Sequence, residues 1–317
     1  MAAIETEGLT KDFLVGFWRP RPYRALDALS LSVAHGEVFG FLGPNGAGKS
    51  TTLKLLMQLI YPTSGDARIL GKPAGDVTVR RRIGFLAENP YYYDYLTAEE
   101  VLAYFASLYG FTGADVKTRV SAVLDEVGIG KERRMRLRQF SKGMLQRVGL
   151  AQAIMHEPEV VFLDEPMSGL DPIGRRQTRD LILRLKQRGC TVFFSSHILS
   201  DAEALCSRVA ILAQGRLVAT GALSDIVQLE LKGWEIVAAQ VPDEVIARLG
   251  ARAATVTTLA EGRYMIQLPP DGVPEQVMLE LVQAGAHIVS LLPERETLED
   301  YFIRAVGTAA PRSTGIA

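Results

Sequence analysis

Residues 43–51 run Gly43-Pro44-Asn45-Gly46-Ala47-Gly48-Lys49-Ser50-Thr51, which is the spacing G-x-x-x-x-G-K-[ST]. The flanks matter as much as the spacing. Glu37–Gly43 before it is apolar and short, as a buried strand is, and Thr52–Ile60 after it has the composition of a helix. Glycines between strand and helix reach backbone torsions closed to other residues, so successive N–H groups can turn inward onto phosphate oxygens. The helix N-terminus adds its dipole to the same spot. In such a loop Lys49 supplies a point charge for β/γ-phosphates and the Ser50 hydroxyl a ligand for Mg²⁺. The chain is therefore expected in the α/β class.

A chain of 317 residues can hold one large domain and a small one. A net charge of −1 argues against a protein whose main partner is a nucleic-acid backbone. Cys190 and Cys206 lack metal or redox spacing, so reduced, buried, structural thiols are expected. The N-terminus shows no signal-peptide pattern, and no apolar run approaches the ~18 residues needed to span a bilayer. A soluble, cytoplasmic chain is the expectation.

Residues 4–33 read as antiparallel strand material, interrupted by an irregular surface loop, Leu14–Arg24, with two prolines and three arginines. Residues 97–155 read as mostly helical, with Thr97 and Glu100 as a capping box. From Val160 the pattern becomes α/β. Val160–Leu163 and Thr191–Phe194 are short, wholly apolar runs, as in strands covered on both faces, with a helix near 173–188 between them. Residues 209–220 read as a hairpin turning at Gly215. After about residue 230 the order becomes β-α-β-β-α-β, the split-βαβ pattern of ferredoxin-like domains, followed by a helix at Leu298–Val306 and a tail from Thr308 expected to be disordered.

The strand at 160–163 ends in Asp164-Glu165. An aspartate at a strand's C-terminal end beside a phosphate loop can hold Mg²⁺ through its water shell. The carboxylate after it can orient an attacking water as general base. Two acids ending an apolar strand are costly unless used.

With these residues in place, the chain resembles the ATP-binding subunit of an ABC transporter over residues 4–230. Gly43–Thr51 matches that family's Walker A loop and Val160–Pro166 its Walker B strand. Ser168-Gly169-Leu170-Asp171-Pro172 matches the D-loop, and His197 stands at the switch histidine that senses the γ-phosphate. The signature segment corresponds to Phe140-Ser141-Lys142-Gly143-Met144. Ser141 and Gly143 are kept, while Lys142 and Met144 depart from the pattern. Ser141 can cap the next helix, whose N-terminus can then face an anion. In the family this segment binds the γ-phosphate held by the other member of a dimer. Glu88 stands where the family's Q-loop usually has glutamine; it can still ligate Mg²⁺ or a water, and it adds a third acid near Asp164 and Glu165, which should raise at least one of their pKa values.

The resemblance also implies an aromatic stacked on adenine. Phe13 matches best, with Tyr23 and Trp18 as competitors. Pro90–Tyr95 holds four tyrosines where the family receives a coupling helix of its membrane subunit; a packing cluster is the other reading. The basic run Lys131–Arg138 reads as a solvated helical face, with a face toward lipid headgroups or a partner as the other reading. The C-terminal pattern, with Thr297–Phe302, is similar to the extension of ABC-2-type exporter ATPases.

The expectation is thus a P-loop ABC-type ATPase domain at 1–230, with a mixed-sheet core, an antiparallel β subdomain and a helical subdomain at about 89–156. An α+β accessory or dimerisation domain at 231–307 and a tail at 308–317 complete the chain. The resemblance implies ATP and Mg²⁺ as ligands, a homodimer, and integral membrane permease subunits at the inner face of the cell membrane, the membrane being reached only through the permease. Glu165, His197 and Lys49 carry the chemistry. Phe13, Ser141, Gly143 and Asp171 join residues 43–51 in binding nucleotide, and Ser50, Glu88 and Asp164 hold the metal. A soluble ABC-type ATPase with a regulatory or nucleic-acid-associated role is the alternative. A ribosome-acting chain would usually carry two phosphate loops, a chromosome-maintenance ATPase would insert coiled coil between the Walker motifs, and a non-catalytic module would not need intact Lys49, Asp164, Glu165 and His197.

Overall fold

The computed structural model describes residues 2–226, 231–249, 255–295 and 297–307, so the tail expected at 308–317 and the join at 227–230 lie outside the described residues. The chain divides into two compact units, one of Met1–Leu223 with the segment from Arg304, the other of Ser224–Ile303.

The first unit contains β1 (Ala2–Val15), β2 (Arg21–Ala34), β3 (Val38–Leu42), β4 (Ser64–Ile69), β5 (Lys72–Pro73), β6 (Ile83–Leu86), β7 (Val160–Asp164), β8 (Thr191–Ser196), β9 (Arg208–Ala213) and β10 (Arg216–Ala222). They form an antiparallel sheet in the order β2-β1-β4-β5 and a mixed sheet in the order β10-β9-β3-β8-β7-β6. In the mixed sheet β3 pairs in parallel with both β8 and β9, and β7 lies in parallel between β6 and β8. Every residue of β3, β7 and β8 is buried, as the apolar runs required. Phe39, Phe41 and Phe162 gather around Phe193, with centroids 5.7, 5.2 and 5.8 Å from its ring, fixing the middle of the sheet. This rigid layer carries the loops at the strands' C-terminal ends, where ligands of open α/β sheets bind.

The capping box is present: Thr97 accepts from the Glu100 N–H while the Glu100 side chain accepts from the Thr97 N–H, starting the helix Ala98–Leu108. It packs with the helices Ala114–Glu126 and Lys142–Ile154. The Arg119 guanidinium donates to the Ile154 and Met155 carbonyls, satisfying the C-terminal end of the helix Lys142–Ile154.

Three sequence expectations are corrected. Leu14–Arg24 is not an irregular loop throughout: Leu14 pairs with Pro22 and Val15 with Arg21, so only the residues between the strands form the turn. The prolines fit because β2 is an edge strand of its sheet. The basic run Lys131–Arg138 is not a helical face. It is a string of turns ending in the 3-10 helix Leu137–Gln139, tied down by Arg133 to the Gly130 carbonyl and Arg136 to the Tyr95 carbonyl. The helix after the phosphate loop spans Lys49–Leu56 and stops short of Ile60, with Gln58 turning through φ 52°.

In the second unit, β11 (Leu231–Ala239), β12 (Thr255–Ala260), β13 (Arg263–Leu268) and β14 (His287–Arg295) alternate with the helices Asp243–Leu249 and Pro274–Gln283. The sheet order is β12-β13-β11-β14 with antiparallel neighbours throughout, the ferredoxin-like arrangement. Ile236, Ala238, Ile266 and Leu268 close a core of its own with Val245, Leu249 and Leu281. Among the described residues no helix is long and apolar enough to cross a membrane.

Candidate functional site

The phosphate loop leaves β3 at Leu42 and enters the helix at Lys49. Gly43 donates its N–H to the Ser196 carbonyl at 3.3 Å, tying the loop to the end of β8. Two glycines are compelled by geometry. A Cβ at Gly43 would stand 2.4 Å from the Leu212 carbonyl oxygen, and Gly48, at φ 108°, would bring one to 2.6 Å from that of Ala25. Ala47 is buried beneath the loop, whereas Asn45 and Gly46 are exposed on it. Lys49 is buried, with its ammonium donating to the Gly43 carbonyl at 2.8 Å and the Pro44 carbonyl at 3.3 Å.

The two acids at the end of β7 occupy different environments. Asp164 is buried and accepts from the Ser195 hydroxyl at 2.6 Å. Burial pushes its carboxyl above the usual aspartate range, and the Glu165 charge adds to this; the Ser195 and Ser50 hydroxyls and Lys49 oppose the rise. The raised pKa expected of the acid group is thus found at Asp164, and burial rather than like charge leads it.

Glu165 is a non-glycine residue in the left-handed region, at φ 50°. Such a conformation costs on the order of 1–3 kcal/mol and persists only where its surroundings hold it. They do so here. Its N–H donates to the Ser195 hydroxyl at 3.0 Å and its carbonyl faces the Gln146 amide at 3.5 Å. Its carboxylate stands 3.2 Å from Lys49 Nζ and 2.8 Å from His197 Nδ1. With Glu165 ionised, the His197 proton sits on Nδ1 and the ring donates. Glu165 Oε1 is buried with no hydrogen-bond partner, leaving the Lys49 charge as its compensation. The His197 side chain is 40% exposed, so the ring reaches from the buried acid to open solvent.

A cavity of about 430 Å³ gathers most of the expected residues: Lys49, Ser50, Thr51, Glu88, Glu165 and Phe13 all line it. Tyr23 lines it too, directly across the β1–β2 ladder from Phe13, so two aromatics face the cavity. Trp18 does not; it lies edge-on to Phe17 at 5.5 Å on the exposed turn. Glu88 follows β6 and is exposed at the cavity wall.

Ser141, Gly143 and Asp171 stand elsewhere, lining a separate cavity of about 580 Å³ with Lys142 and Met144. Ser141 caps the helix Lys142–Ile154, accepting from the Met144 N–H at 3.2 Å. Asp171 caps the helix Pro172–Gln187, accepting from the Gly174 N–H at 2.8 Å. Lys142 folds over Gly169: a Cβ there would lie 3.1 Å from Lys142 Cδ.

Among the described residues no three His, Cys, Asp or Glu side chains converge as a metal cage. The donors at the phosphate loop are the Ser50 hydroxyl and the Asp164 carboxylate, with Glu88 on the wall. That sparse oxygen set fits Mg²⁺, which keeps several waters and takes one or two protein ligands beside phosphate oxygens.

Sequence reasoning passed over Ser195 and Gln146. Ser195 is directly opposite Asp164 in the β7–β8 register, but that pairing joins strands about 30 residues apart in sequence and cannot be read from local pattern.

The profile of the ABC transporter family matches residues 26–168. An uncharacterized ABC transporter ATP-binding protein of Synechocystis sp. is 44% identical over 305 residues, covering 95% of this chain and 84% of that protein. The bacitracin transport ATP-binding protein BcrA of Enterococcus faecalis is 35% identical, covering 96% of each chain. A dimeric, post-hydrolysis ATP-binding cassette bound to ADP and Pi superimposes with a TM-score of 0.65 at 25% identity, covering 69% of this chain and 98% of that one.

Proposed function

Because this chain belongs to the ABC transporter family and is an ATP-binding, ATP-hydrolysing subunit of it, we propose that it powers an ABC-2-type exporter as a homodimer on a separate membrane permease, at the inner face of the cell membrane. The observation that carries this reading is the division of the binding residues. Lys49, Ser50 and Glu165 surround one cavity, while Ser141, Gly143 and Asp171 line another. A second copy, turned head to tail, brings its Ser141 and Gly143 to the phosphates held by the first. The dimeric relative with ADP and Pi supports that assembly, and the relative named for bacitracin transport supports the coupling to transport.

The chemistry follows from the geometry. Backbone N–H groups of Asn45, Gly46 and residues 48–51, with the helix dipole, bind the phosphates, and Lys49 shifts its ammonium from the loop carbonyls to the β/γ-oxygens. Release of Lys49 from Glu165 leaves a buried, ionised carboxylate with a free oxygen that can take the proton of an attacking water. His197 holds the other oxygen of Glu165 through Nδ1, which leaves Nε2 as the ring nitrogen that can contact a γ-phosphate. Ser50 and Asp164, with Glu88 at the wall, would hold Mg²⁺, which would supply neutralisation of phosphate charge. Phe13 or Tyr23 stacks on adenine. Residues 1–230 form the ATP-binding domain, and residues 231–307 aid dimerisation or tune turnover.

Glu165→Gln tests the reading. It keeps the shape of the site, removes the base, and lowers negative charge beside the phosphate. Turnover should fall by at least about 100-fold, with ATP binding retained and an ATP-bound dimer accumulating on sedimentation. Hydrolysis at the parental rate refutes the base assignment.

A further inference from the structure

The β1–β2 hairpin outruns the sheet that supports it. β1 pairs with β4 only as far as Thr10↔Ser64, but with β2 as far as Val15↔Arg21. Lys11 and Asp12 still bond to Tyr61 and Thr63, and Phe13 and Tyr23 still line the phosphate-loop cavity, so what projects is the exposed end of the hairpin: the pairs Leu14↔Pro22 and Val15↔Arg21 with the turn between them. Its tip is apolar and strongly exposed: Phe17 is 91% and Trp18 90% exposed, and Leu14 is 76% exposed. The two rings touch edge to face and form one wedge. Arginines flank it. Arg24 is spent on Asp12 and Asp27, but among the described residues no ion pair joins Arg19 or Arg21 to an acid. No acidic residue occurs between Asp12 and Asp27, in a chain whose net charge is −1. Pro20 and Pro22 remove two backbone N–H groups from the same end.

We propose that this tip is a direct lipid contact: Phe17 and Trp18 seat in the headgroup layer of an anionic membrane while Arg19 and Arg21 engage its phosphates. The chemistry favours this occupant. Amphipathic rings settle at the membrane–water interface, and arginine is drawn to a negatively charged surface. A narrow projecting ribbon offers little of the flat area that a stable protein interface needs, whereas insertion of a point asks for none. The inference does not depend on the ATPase reading, since none of these four residues lines the phosphate-loop cavity.

The chain has two tryptophans, so Trp234→Phe leaves Trp18 as the sole indole in the full-length protein. Vesicles of phosphatidylcholine with about a quarter phosphatidylglycerol should shift Trp18 emission to the blue, and phosphatidylcholine alone should not. The shift should recede with added salt. Arg19→Glu with Arg21→Glu should weaken vesicle affinity by at least about 30-fold, at about fivefold per arginine removed. Flotation of the otherwise unaltered chain and its Arg19→Glu/Arg21→Glu form gives the same comparison without relying on Trp234→Phe. No shift and no flotation with anionic vesicles overturns the proposal, as does binding indifferent to the arginines. A blue shift that grows with protein concentration in the absence of lipid also overturns it, because a second copy is then the occupant.

Discussion

Ser195 supports both acids of the site with one hydroxyl, and Ser195→Ala removes that support without touching either carboxylate. Ser195 is fully buried, so water does not simply take its place. The bond to Asp164 is charge-assisted, worth about 1.5–3 kcal/mol, and the Glu165 N–H left unpaired costs about 1–3 kcal/mol more. The two losses share one atom and partly overlap, so a net destabilisation of about 3 kcal/mol is expected, or about 6–12 °C in the melting transition of the nucleotide-binding unit. The effect should also depend on pH. Asp164 has a folded pKa raised above its unfolded value, so it destabilises the fold at neutral pH and that penalty is relieved as pH falls through the raised value. The Ser195 bond opposes the rise, and losing it widens this window. The stability gap between the variant and the parent should therefore be larger at about pH 7.5 than at about pH 5. The acid limb of the ATPase profile should move to higher pH, because the metal-holding role proposed for Asp164 needs it ionised. Calorimetry at the two pH values with a pH–rate profile tests this. A loss below about 1 kcal/mol, together with an unmoved acid limb, refutes the role given to Ser195.

Lys49→Ala removes the cation shared by the loop carbonyls and Glu165, and should weaken affinity for a fluorescent ATP analogue by about 10²-fold, or about 3 kcal/mol for lost charge-assisted bonds; an unchanged titration counts against the phosphate-cradle role. Ser141→Arg should abolish hydrolysis while a monomer still binds ATP normally, and mixing it with Lys49→Ala subunits should restore one working site of two; a folded Ser141→Arg chain that cannot bind ATP counts against a site completed by a second copy. Ending the chain at Ile226 should leave a folded unit that binds Mg·ATP and change dimer population or permease-stimulated turnover, since the second unit has its own core; loss of nucleotide binding would overturn the two-domain division.

Much of the fold was legible because its signals are local. The phosphate loop is a contiguous run whose glycines, lysine and serine are spaced by the geometry of one turn. β7 and β8 announced themselves through the short, largely apolar runs 160–163 and 191–194, because both faces are covered. Thr97 and Glu100 lie one helical turn apart, so their reciprocal caps could be read directly. The β-α-β-β-α-β order of the second unit followed from alternating periodicity. Where composition stood in for geometry the reading failed: prolines and arginines suggested a loop at 14–24, yet an edge strand tolerates both.

What the chain's one-dimensional pattern supplies is the set of candidates for phosphate, metal and acid–base chemistry, since these types and spacings serve few other purposes. Only the tertiary structure decided how they are supported. Ser195 meets Asp164 and Glu165 across parallel strands, Glu165 is held in a left-handed conformation between Lys49 and His197, and Tyr23 joins Phe13 while Trp18 turns away. Parallel pairing, cross-strand register and the reach of a hairpin bring together residues far apart in sequence, and no local propensity encodes which partners those will be.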